Sequence, residues 1–147
     1  MHPAALCVTK QMVKGYQGQT DARVLLEEVL KRFEVPTTIS VIEGEVAPHG
    51  LYPTMSAELE QVAREMFALP HVEAATHTYS HPFYWYDAQQ MPGELYGPEG
   101  QLRLPIADYR MDPVREVVGS AEYINENLLE DGKRTQMVLW SGDTIPT

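Results

Sequence analysis

The chain has 147 residues, 44% of them apolar, with 21 acidic against 11 basic side chains and a formal charge of -10. That is the size and apolar content of one domain with its own core, and so acidic a surface repels phosphate backbones and anionic headgroups, which argues against nucleic acid as a partner. No stretch approaches the roughly eighteen apolar residues of a membrane span, so membrane insertion is not expected either.

Residues 1–20 show no sustained period and end in turn formers from Lys14 to Thr20, which predicts an irregular leader ahead of a domain over 21–147. Met1 to Lys10 lack the charged-then-apolar order of an export signal, and the single cysteine, Cys7, has no partner for an internal disulfide. Asp21 is placed to cap a helix whose inner face is Val24, Leu25, Val29, Leu30 and Phe33, with Pro36 as its stop. The β-branched run 37–42 then reads as a buried strand leaving through Gly44. A second helix is expected from Ser56, with Glu60 spaced for reciprocal capping and Leu59, Val62, Ala63, Met66 and Phe67 facing inward. Pro70 closes it, and 72–76 is the next strand. A third helix is read from Pro113 through Val117, Val118, Ala121, Ile124 and Leu128, broken at Asp131-Gly132 and followed by a strand at 136–140. Helix followed by strand, three times over, argues for a parallel α/β architecture. The segment 82–112, rich in aromatics, proline and glycine, is too long for a plain connection and reads as a functional loop.

In such folds active sites gather at the carboxyl ends of the strands. The first predicted strand leaves into Glu43 and Glu45, the second into His77 and His81, and the third into Ser141 and Asp143. Two imidazoles at i and i+4 can clamp one zinc, iron, cobalt or nickel ion. Residue 78 is threonine, so this is not the protease pattern in which a glutamate beside the first histidine is the base. Imidazoles converging with carboxylates describe a catalytic metal centre able to polarise a carbonyl for amide or ester hydrolysis. The run Phe83-Tyr84-Trp85-Tyr86 supplies flat amphipathic rings suited to sugar faces. Plainer readings stand beside these: histidines as satisfied surface or core residues, Glu43 and Glu45 as solvated or capping groups, Ser141 and Asp143 as turn formers, and the aromatics as a cover for the core. His2, His49 and His71 are expected on the surface.

The segment His77-Thr78-Tyr79-Ser80-His81-Pro82, with the helix and strand that precede it, resembles the second motif of the polysaccharide deacetylase (NodB-homology) family, His-Ser/Thr-x-x-His. The likeness runs from about Val24 to the end and is greatest to members serving exopolysaccharide biosynthesis and biofilm formation. The resemblance implies a partial (β/α) barrel of about three parallel strands with helices and a long aromatic-rich loop. It also implies hydrolysis of N-acetyl groups on a hexosamine polymer, with His77 and His81 as ligands to a divalent metal: zinc first, with cobalt, nickel or iron as alternatives. The segment 139–142 takes the place of the motif that lines the family's substrate groove, so Trp140 and Ser141, with Tyr84 and Trp85, are expected at the carbohydrate. Met1 to Thr20 hold no aspartate or glutamate, so the family's first-motif aspartates are missing. Glu43 and Asp143 are the candidates for the base, and the last motif would fall beyond Thr147. The expectation is an incomplete hydrolase domain of weak or no activity, related to periplasmic proteins, with a carbohydrate polymer as partner and a homodimer possible through an exposed sheet edge. The alternative is a non-catalytic carbohydrate-binding or assembly module.

Overall fold

The computed structural model describes residues 15–16, 18–83, 85, 95–96, 100–101 and 103–142. Most of the expected leader and of the aromatic-rich insertion therefore lies outside the described residues.

The architecture is mixed α/β. Strands β1 (Thr37–Val41) and β2 (Val72–Thr76) pair in parallel, in a register running from Thr37 opposite Val72 to Val41 opposite Thr76. A short antiparallel ladder, β3 (Leu95–Tyr96) with β4 (Gly100–Gln101), forms apart from them. The third parallel strand expected at 136–140 is reduced to a single bridge between Thr76 and Val138. Side chains explain the shortfall. Thr76 exchanges backbone bonds with Met137 and Leu139 at 3.0 and 2.9 Å, but further down β2 the partners are the Thr135 hydroxyl on the Ala74 carbonyl (2.8 Å) and the Lys133 ammonium on the Val72 carbonyl (3.3 Å). These side chains hold the segment away from a continuous ladder. A groove of about 380 Å³ remains there, lined in part by Val72, Ala74, Lys133 and Gln136.

Helix α1 (Asp21–Leu25) is capped by the Thr20 hydroxyl, which accepts from the Arg23 amide, and not by Asp21. It runs directly into a π-helical turn, Leu26–Leu30. In that wider turn residues four apart stay in line, so the buried stripe is Ala22, Leu26 and Leu30, while Val29 and Phe33, expected inside, are exposed. A short turn α2 (Glu43–Val46) follows β1. Helix α3 (Ser56–Ala68) buries Leu59, Val62, Ala63, Met66 and Phe67, the face expected of it, but Ser56 makes no cap and Glu60 accepts from the Tyr123 hydroxyl instead. A second π turn, Arg115–Gly119, leads into α4 (Ser120–Asn127). Its buried stripe is Glu116, Ser120, Ile124 and Leu128, and Val118 points to solvent. Residues of α1, β1, α3, β2 and α4 close one apolar core. Among the described residues no helix is long and apolar enough to cross a membrane.

Candidate functional site

Strand β2 delivers the two histidines as expected. Both side chains are buried, their rings lie 4.7 Å apart, and their Nε2 atoms face each other at 3.1 Å. Nδ1 of His77 lies against the Leu139 carbonyl, which can only accept, so this nitrogen carries the proton and Nε2 of neutral His77 carries the lone pair. An outer partner that fixes the tautomer in this way is the usual companion of a ligating histidine. The ring of Phe83 meets His81 edge-on at 4.7 Å.

The turn that brings the rings together is strained. Thr78 and His81 adopt φ of +73° and +53°, the left-handed region, at about 1–3 kcal/mol each for residues other than glycine, and a β-branched residue there is a true outlier. The surroundings over-determine this backbone. The Thr78 amide donates to Thr76 Oγ1 (3.0 Å), the His81 amide to Thr78 Oγ1 (3.1 Å), and the His77 amide to the Val41 carbonyl (2.7 Å). From α2, the amides of Glu43 and Gly44 donate to the carbonyls of Thr78 and Tyr79. Gly44 allows that approach, because a Cβ there would collide with the Ile106 side chain and the Tyr79 carbonyl. From the π turn at 115–119, Glu116 takes the Tyr79 amide on its backbone oxygen, and its carboxylate takes the Ser80 amide (2.7 Å), the Ser80 hydroxyl and the Tyr109 hydroxyl (2.8 Å).

The carboxylates after β1 have a different fate. Glu43 is fully buried, its two oxygens held by both arms of the Arg115 guanidinium and by His49 Nε2 at 2.8 Å. The Arg115 guanidinium is raised above its usual pKa, chiefly by that hydrogen bond, and it also stacks 3.9 Å from the centre of the Tyr79 ring. Glu43 thus serves an internal ion pair, and Glu45 is likewise buried rather than solvated. His49, expected to be a simple surface residue, is half-exposed yet engaged with Glu43, and His71 places Nε2 on the Leu30 carbonyl at 2.9 Å.

On the other flank, Trp85 and Trp140 pack edge-to-face at 4.7 Å and the Trp85 indole donates to the Ser141 carbonyl. Trp140 is 52% exposed and Phe83 41%. Ser141 is buried with its hydroxyl on the Pro82 carbonyl (2.7 Å), and Gly142, at φ +67°, abuts the Phe83 backbone so closely that no Cβ would fit. These bonds join Pro82, Phe83 and Trp85 to residues 139–142 in one aromatic wall beside His81. Tyr84 and Asp143 lie outside the described residues. Arg115, Glu116 and Tyr109 were missed in the sequence. The available signal was Glu116 itself, a carboxylate on the same stripe as Ser120, Ile124 and Leu128.

Two nitrogens about 2.0–2.1 Å from one tetrahedral zinc ion stand roughly 3.3 Å apart, so the spacing of the two imidazoles fits a shared ion. Among the described residues no group of three histidine, cysteine, aspartate or glutamate side chains is arranged to hold a metal. No family model, no curated protein and no solved structure matches the chain.

Proposed function

We propose that the chain is a metal-dependent polysaccharide N-deacetylase-like protein, part of a (β/α) barrel, that hydrolyses N-acetyl groups on a hexosamine exopolysaccharide. The observation that carries this reading is the buried histidine pair at the carboxyl end of β2, its Nε2 atoms 3.1 Å apart and one ring locked through Nδ1. His77 and His81 would hold a divalent ion, zinc first and cobalt, nickel or iron as alternatives, which supplies Lewis-acid polarisation of the acetyl carbonyl and a more acidic water. Trp140, half-exposed and packed edge-to-face with Trp85, offers a flat face to a sugar ring, and Tyr84 is assigned to the carbohydrate from the sequence alone. Ser141 supports that surface from beneath. Glu43 is committed to Arg115 and His49, so the base role is assigned to Asp143, which follows Gly142 in the sequence. If Asp143 does not fill that role, turnover about 10²–10⁴-fold below that of a complete site is expected.

The exposed Trp140 face also suits the second reading, a carbohydrate-binding module without catalysis. One experiment separates them: zinc content and zinc titration calorimetry of the purified chain and of a His77→Ala/His81→Ala variant, together with acetate release from acetylated hexosamine oligomers. Stoichiometric zinc lost in the variant, with acetate release that stops on adding chelator, is the expected result. Oligomer binding without zinc uptake or acetate release overturns the enzyme reading in favour of the module.

A further inference from the structure

The structure assigns to Glu116 the role of positioning residue for the histidine pair, an inference that rests on the proposed metal site. Between the two left-handed residues, Thr78 and His81, the chain turns away from the sheet and aims the amides of Tyr79 and Ser80 into the protein. Both amides end on Glu116, one on its backbone oxygen and one on its carboxylate, and the Ser80 hydroxyl ends there too. Three successive donors of the turn thus depend on one buried side chain and its own peptide group. His81 follows Ser80 directly, so a change at Glu116 displaces one imidazole relative to the other, while His77 stays anchored on Val41 and Leu139.

Donors from the Ser80 amide, the Ser80 hydroxyl and the Tyr109 hydroxyl converge on the two carboxylate oxygens. A glutamine could still serve, its oxygen taking the Ser80 amide and its NH₂ donating to the two hydroxyl oxygens. Glu116→Ala removes all three side-chain bonds and is the variant that breaks the clamp. Tyr109→Phe is the matched control, because it removes one donor from Glu116 and leaves both Ser80 bonds in place.

The test is zinc titration calorimetry on the full chain, with thermal melts for each variant and nuclear Overhauser contacts between the His77 and His81 rings. Glu116→Ala is expected to weaken zinc binding about 10–100-fold, the range found when an outer partner of a metal ligand is removed, and to lose the ring-to-ring contacts. Tyr109→Phe is expected to lower the melting temperature while leaving zinc affinity within about twofold, a split that a merely structural role would not produce. Unchanged zinc affinity in folded Glu116→Ala overturns the assignment. Should Glu116→Ala not fold, Ser80→Ala decides, since it removes only the hydroxyl bond: weaker zinc binding supports the role and unchanged affinity overturns it. If the unmodified chain takes up no zinc, the proposed function fails on its own, and the ring contacts then judge Glu116: their loss in Glu116→Ala supports positioning, their retention overturns it.

Discussion

Strands β1 and β2 end side by side, yet their exits solve opposite problems. After β1 a buried carboxylate, Glu43, meets a guanidinium and an imidazole that are themselves partly exposed. After β2 two tilted imidazoles are brought together through their Nε2 atoms by a turn with two non-glycine residues at positive φ. A buried charge with its counter-charge in place is a structural element, costly to break but carrying no function by itself. Like groups held together through a strained backbone are the kind of arrangement from which a functional hypothesis starts. The difference teaches that a residue at a strand end has to be judged by its partner and not by its position.

The comparison breaks hardest at Arg115. Arg115→Ala leaves Glu43 buried with only His49 beside it, and a loss of about 3 kcal/mol is expected in urea unfolding, the low end for a broken buried pair because one partner survives. Gly44→Ala forces a methyl group against Ile106 and the Tyr79 carbonyl, with an expected cost of about 1–3 kcal/mol in the same assay. His77→Ala sharpens the contrast from the other side. In metal-free protein it is expected to cost about 2 kcal/mol, the value of its hydrogen bonds to the Leu139 carbonyl and to the His81 ring, while zinc uptake disappears. A loss as large as that of Arg115→Ala would show that the histidine is a structural residue after all.

The smallest effect is in alkali. The phenols of Tyr79, Tyr109 and Tyr123 all lie above the ordinary tyrosine value, first because burial disfavours the phenolate. The folded chain therefore keeps protons that the unfolded chain releases. Their stabilising contribution is complete below about pH 10 and is lost as the pH rises beyond it. Urea midpoints measured from pH 8 to 11 should fall for the unmodified chain and fall less steeply for Tyr123→Phe; equal slopes would contradict this.

What was legible in the sequence follows from how local the determining physics is. The inner face of α3 and the bounds of β2 could be read residue by residue, because an apolar stripe of ordinary helical period and a short strand between turns need no distant information. Beside α1 and α4 the sequence is legible only in part: Leu30, Ile124 and Leu128 lie inside as expected, but Val29, Phe33 and Val118 do not, because an adjoining π turn carries the stripe along at intervals of four. The histidines were visible through their spacing and place, but their neighbours were not. Glu116 lies 36 residues from Ser80 and Arg115 72 from Glu43, and nothing in a local pattern joins them. The third strand was misjudged for a similar reason, since Lys133 and Thr135 bond with their side chains where a ladder would use the backbone.

That substitution sets how the molecule comes apart. The segment 133–139 is held to β2 by two backbone bonds at Thr76 and a few side-chain contacts, whereas β1 and β2 are paired throughout. It can open while the core stays closed. The amide hydrogen of Leu139 would then exchange with solvent well before those of Ala75 and His77, and each opening lifts the Leu139 carbonyl from the His77 ring. Exchange at Leu139 would then report how long the imidazoles stay aligned, separately from the stability of the whole fold.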